Sequence, residues 1–98
     1  MVVNDKLNLT MLCDFYELTM GNGYFVSGMK DQICYFDVFY RNVPDNGGFA
    51  IAAGLEQAVR YIQQLHFDED DIAYLRGRGI FSEDFLSYLR DFRFTGDI

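Results

Sequence analysis

The chain has 98 residues with fifteen acidic and eight basic side chains, a net charge of −7, and is 50% hydrophobic and 17% aromatic. That length suits one domain with a modest core, and ten Phe with seven Tyr exclude a disordered chain. The acid excess excludes a nucleic-acid or anionic-membrane partner, and the longest apolar run, Phe49 to Leu55, is far short of the ~20 residues that cross a bilayer.

Met1 to Lys6 form a polar lead-in without the basic and apolar blocks of a secretory signal. Leu7 to Leu12 alternate at period two, which predicts a short extended segment ending at Cys13. Asp14 then stands where an N-cap belongs. Glu17, three positions on, completes a variant of the capping box. A helix follows over about Phe15 to Val26, with Phe15, Leu18 and Phe25 at core spacing. Gly21 and Gly23 inside it cost about 1 kcal/mol each against alanine, so packing must favour a bare backbone there. Ser27-Gly28 ends the helix.

Gln32 to Val43 has the strongest strand chemistry. Alternation sends Ile33, Tyr35, Asp37, Phe39 and Arg41 to one face and Cys34, Phe36, Val38 and Tyr40 to the other, a wholly apolar core candidate. Pro44 to Gly48 read as a turn and lack the spacing of a phosphate loop. Phe49 to Ala52 read as a second strand. Gly54 opens an amphipathic helix bearing Leu55, Ala58, Val59, Ile62 and Leu65 on one side.

Asp68 caps a short helix that carries Ile72 and Leu75 and stops at Gly77 and Gly79. Ser82 caps another, with Phe85, Leu86 and Leu89 inward and Arg90 near its end. Arg93 to Ile98 resume strand-like chemistry. The expected fold is therefore α+β: one domain, residues 1–98, with a small twisted β-sheet from Gln32–Val43 and Phe49–Ala52, joined by Arg93–Ile98, covered by four helices.

Few residues suggest chemistry. His66 is the only histidine, and the acids at 68–71 suit a helix N-terminus better than a metal site. Cys13 and Cys34 form neither a disulfide framework nor a metal pair and fit a reducing, cytoplasmic setting. Asp14 and Tyr16 share the first turn of the first helix. On residue chemistry alone they read as a cap and a half-buried aromatic with a wet hydroxyl.

The run Leu12-Cys13-Asp14-Phe15-Tyr16-Glu17-Leu18-Thr19-Met20 resembles the opening signature of the nicotinate phosphoribosyltransferases, leucine-threonine-aspartate-x-tyrosine-x-leucine-threonine-methionine. The likeness continues through Phe36-Asp37-Val38-Phe39-Tyr40-Arg41, Ala53-Gly54-Leu55-Glu56, Asp70-Asp71-Ile72-Ala73-Tyr74-Leu75 and Phe92 to Ile98. Cys13 departs from the family's usual threonine.

The resemblance implies an enzyme that joins nicotinate to 5-phosphoribosyl diphosphate, giving nicotinate mononucleotide and diphosphate in NAD salvage, with Mg2+ and ATP hydrolysis. It also implies a homodimer whose active site is shared between subunits. Carried over, Tyr16 stacks on the pyridine ring and Asp14 is its polar neighbour. Arg41 has two readings of equal standing: a phosphate contact across the dimer, or an ion pair with Asp37 on its own face. The family's barrel-like domain, which holds the phosphoribosyl diphosphate pocket and the phosphate-accepting histidine, has no counterpart here. The chain is therefore expected to be an N-terminal fragment, inactive alone and binding no cofactor itself. The alternative is a free-standing acidic interaction domain of the same fold, without chemistry.

Overall fold

A computed structural model describes residues 7–98. Its regular elements are four α-helices, α1 (Phe15–Val26), α2 (Leu55–Gln64), α3 (Glu69–Gly77) and α4 (Glu83–Arg90), and a single 3-10 turn, Pro44–Asn46. The four helices form where the sequence predicts them. The sheet does not form: among the described residues there is no β-strand.

The core is small and lies at the C-terminal end of the chain. Phe67, Ile72, Leu75, Phe85, Leu86 and Leu89 are buried, and Met11, Leu18, Phe25, Leu65, Phe81, Tyr88 and Phe92 pack against them. Their spacing follows from helical periodicity. Ile72 and Leu75 are three apart on α3, and Phe85 and Leu89 four apart on α4, so each pair lies on one face. Exposed ion pairs tie the same two helices together, Arg76 Nε to Glu83 at 2.9 Å and Arg90 Nε to Glu69 at 2.7 Å. Both pairs are exposed, so solvent screens them and they add little. Apolar burial holds the pair.

Helix α1 crosses α4 through aromatic contacts, with Phe25 against Phe85 at 5.7 Å and against Tyr88 at 5.1 Å between ring centroids. A Cβ at Gly21 would lie 3.4 Å from Phe85 Cζ, an ordinary van der Waals contact, so the predicted need for a bare backbone is not seen there. Gly23 has open space around it, and nothing in the structure explains it. Asn22 fastens the crossing, its Oδ1 accepting a hydrogen bond from the Ser82 amide at 3.1 Å. Ser82 Oγ in turn accepts from the Phe85 amide at 3.1 Å and caps α4. At the other end of α1, Gly28 at φ +76 lets the Met29 amide reach back to Tyr24 O at 2.9 Å.

Three local expectations are corrected. The segment from Leu7 to Leu12 turns instead of extending, with the Leu12 amide bonded to Leu9 O at 2.9 Å. It turns because Thr10 is a buried polar node, a role its period-two neighbours conceal. Thr10 Oγ1 accepts from the His66 amide at 3.0 Å, and its carbonyl accepts from the Tyr61 hydroxyl at 3.4 Å. Asn8 completes the node by donating to His66 O at 3.1 Å. The capping box read at Asp14 and Glu17 is also absent, since Asp14 makes no side-chain cap hydrogen bond. The reciprocal box forms at α3, where Asp68 accepts from the Asp71 amide and Asp71 from the Asp68 amide. Finally, the apolar side of α2 is only partly used. Leu65 reaches the core, while Leu55 is 77% exposed.

The α+β expectation fails for a physical reason. Strand propensity reports side chains suited to a pleated, half-buried surface, and it needs a neighbouring backbone to be realised. Gln32–Val43, Phe49–Ala52 and Arg93–Ile98 form no regular element and have no partner strand among the described residues, and the chain bends at Arg41, Asn42 and Gly96. A single side-chain bond, Tyr40 hydroxyl to Ile51 O at 2.8 Å, links the first two. The face predicted as core is open, with Phe36 90% and Val38 102% exposed. This arm lengthens the molecule: its Cα radius of gyration is 15.9 Å, against about 13 Å for a compact chain of this length.

Candidate functional site

Helix α1 presents the two residues that the sequence singles out near its start. Asp14 is the N-cap residue, extended at φ −71 and ψ 140, and its carboxylate is free of the capping bond that sequence chemistry assigns to it. Tyr16 lies in the first turn, 58% exposed. Its neighbours on the chain, Phe15 and Leu18, turn the other way, Phe15 meeting Phe81 edge-on at 5.8 Å and Leu18 packing on the core. Helical geometry thus fixes the backbone of Tyr16 while leaving its ring to solvent. A bond from Thr19 Oγ1 to Tyr16 O at 3.0 Å further ties this turn.

That combination suits recognition of a flat aromatic ligand. A tyrosine ring held on a packed helix loses little freedom when another ring stacks on it, and such pairs add about 0.5–1.5 kcal/mol beyond buried area. A carboxylate two residues away supplies an acceptor for polar edges. The helix N-terminus beside it carries partial positive charge.

Arg41 stands apart from this pair. It lies on the exposed arm, and the structure brings it to neither Asp14 nor Tyr16 by hydrogen bond or ion pair. The ion pair with Asp37 is not formed either, since in an unpaired irregular segment nothing holds the two side chains in register.

A groove of about 770 Å³ lies on the other side of α1, lined by residues that include Cys13, Leu18, Phe25, Cys34, Tyr61 and Tyr88. Asp14, Tyr16 and Arg41 do not line it. Cys13 and Cys34 are both free and exposed. Partial burial, with the nearby carboxylates of Glu17 and Asp14, raises the Cys13 thiol above its ordinary pKa. Burial likewise raises the Tyr61 hydroxyl, with Cys13 adding to the effect.

The acids at the start of α3 behave as a helix terminus. The Asp71 amide bonded to its carboxylate lowers the pKa of Asp68, whereas partial burial raises that of Asp71. Among the described residues no group of three or more His, Cys, Asp or Glu side chains is placed to hold a metal ion. No helix among them is long and apolar enough to cross a membrane. No step below passes through magnesium or a nucleoside triphosphate. Sequence reasoning missed the Thr10–His66 node. Its one signal was a lone histidine beside a helix start, with no partner nearby in sequence.

Comparison with known proteins agrees with the motif reading. The nicotinate phosphoribosyltransferase (NAPRTase) N-terminal domain matches residues 11–98. A nicotinate phosphoribosyltransferase of Mycobacterium tuberculosis is 40% identical over 88 residues, 90% of this chain and 19% of that protein. One from Bacillus subtilis is 34% identical over 79 residues, 81% of this chain and 16% of its own length. The human enzyme is 35% identical over 65 residues, 66% of this chain and 12% of that protein. The chain therefore spans less than a fifth of the length of these relatives. With Asp14 and Tyr16 displayed at the head of α1, and the match running from Met11 to Ile98, the chain belongs to the nicotinate phosphoribosyltransferase family, as its N-terminal domain.

Proposed function

We propose that the chain serves an enzyme that joins nicotinate to 5-phosphoribosyl diphosphate, releasing nicotinate mononucleotide and diphosphate in NAD salvage, with ATP hydrolysis and Mg2+. Its contribution is a partial site. The observation that carries this reading is Tyr16, an exposed ring on a packed helix within the segment that matches the family. Tyr16 holds the pyridine ring flat, so that its nitrogen meets the anomeric carbon as diphosphate leaves.

Asp14 lies on the ring-nitrogen side, because a carboxylate facing the nicotinate carboxylate would repel it. The site is shared in a homodimer, with Tyr16 and Asp14 reaching the neighbouring subunit's pocket and Arg41 meeting a phosphate there. When bound, Mg2+ would neutralise charge on the departing diphosphate.

The test is product formation by the enzyme carrying this sequence, with nicotinate, nicotinamide and quinolinate offered in turn. Nicotinate mononucleotide as the dominant, ATP-stimulated product supports the reading. Preference for another base, or no product, contradicts it. The 98-residue chain by itself is expected to form none, and turnover by it would contradict the partial-site reading.

A further inference from the structure

Thr10 is the one buried polar residue among the described residues, 4% exposed, and the proposed function makes no use of it. It joins parts of the chain that lie far apart in sequence. Its Oγ1 accepts from the His66 amide at 3.0 Å, at the junction of α2 and α3. Its carbonyl accepts from the Tyr61 hydroxyl of α2 at 3.4 Å. Asn8 holds the residue from a third side: its Oδ1 accepts from the Thr10 amide at 3.1 Å, while its Nδ2 donates to His66 O at 3.1 Å. A buried polar group that loses a partner gains no water in exchange, so such a cluster resists displacement.

The strap formed by residues 8–13 leads from this cluster directly into α1. Hydrogen-bonded turns follow one another along it, with the Leu12 amide on Leu9 O and the Cys13 amide on Met11 O, both at 2.9 Å. Met11 packs against the core, which pins the strap on its apolar side. The helix it enters has no side-chain N-cap bond, unlike α3 and α4. Phe15 and Leu18 therefore fix the inner face of α1, and the strap fixes its end. Tyr16 lies two residues beyond that end.

We infer that Thr10 is a positioning residue for nicotinate: it sets where the Tyr16 ring stands, through the strap, without touching the substrate. The inference rests on the stacking role proposed above for Tyr16. Bonds from Thr10 to the α2–α3 junction oppose a shift of the strap, so the ring is in place before the pyridine arrives and binding has less to order. Removing the Oγ1 acceptor leaves the His66 amide without its partner and loosens the end of α1. The loss falls on nicotinate and not on 5-phosphoribosyl diphosphate.

The experiment uses the enzyme carrying this sequence and compares Thr10→Val, which lacks the hydroxyl, with Thr10→Ser, which keeps it. Thr10→Val should raise the nicotinate KM about fivefold, leave the 5-phosphoribosyl diphosphate KM within about twofold, and be rescued in Thr10→Ser. In a Tyr16→Ala background it should add nothing, because the ring through which Thr10 acts is gone. Hydrogen-exchange mass spectrometry should show faster exchange over residues 9–17 in Thr10→Val, with α3 and α4 still protected. An unchanged nicotinate KM, equal losses in the Val and Ser variants, a further loss on top of Tyr16→Ala, or exchange rising equally in α3 and α4 would each overturn the inference. If Tyr16→Ala itself leaves the nicotinate KM unchanged, the stacking reading fails, and the strap is then decided by the exchange result alone.

Discussion

The helical body and the irregular arm use similar amino acids to opposite effect. In the body, Ile72, Leu75 and Leu86 are fully buried, and side chains cap the starts of α3 and α4 through the Asp68–Asp71 box and Ser82. In the arm, Phe36, Val38 and Phe39 are as apolar and as regularly spaced, yet they face water. The difference lies in where the partners come from. A helix satisfies its backbone within its own residues and needs only one packed face, whereas an extended segment depends on a neighbour for both.

That contrast gives graded expectations. Leu86→Ala should have the largest effect, about 2–5 kcal/mol, since it opens a cavity in a core of six buried residues. A chemical-denaturation curve would read it, and a loss below 1 kcal/mol would show that the body is not the stabilising unit. Ser82→Ala should cost about 1 kcal/mol through loss of the α4 cap. Val38→Ser, on the arm, should leave the midpoint within about 0.5 kcal/mol and reduce self-association, read by light scattering. A strong destabilisation by Val38→Ser would show the arm to be packed.

Acid should weaken the body before it affects the arm. Asp68 lies below the ordinary carboxylate value through the Asp71 amide, and Glu83 through its hydrogen bond with Arg76. For a lowered pKa the unfolded chain takes up protons first. Stability is therefore present above the ordinary carboxylate pKa, roughly 4, and is lost as pH falls through the folded value. Asp71, raised by burial, works in the opposite sense and offsets part of this. Thermal melts across acidic pH should show the decline, and Glu83→Gln should flatten it. An unchanged slope in that variant would remove Arg76–Glu83 from the account.

How much of this was legible in the sequence follows the same division. The helices were readable because their signals are local: Asp68 and Ser82 before apolar residues three and four apart, and Gly28, Gly54 and Gly79 at positive φ where helices start or stop. The sheet was misread because β-branched and aromatic alternation at Gln32–Val43 says what a strand would bury and not whether a partner is present. Asp14 was half legible. Its position announced a cap, but whether a side chain bonds its own helix depends on a rotamer that composition does not reveal. The family signature singles out Tyr16, whose ring the structure shows exposed, and the Thr10–His66 node was hidden because its members lie 56 positions apart.

The claim that matters most for function is that α1 offers Tyr16 as a stacking surface for nicotinate. It is tested most directly by steady-state kinetics of the enzyme carrying this sequence, comparing Tyr16→Phe with Tyr16→Ala. The account predicts that Phe keeps the nicotinate KM within a few-fold of the parent, while Ala raises it on the order of tenfold, the loss of about 0.5–1.5 kcal/mol of stacking together with its buried ring area. Equal losses in both variants, or no change in either, would contradict it.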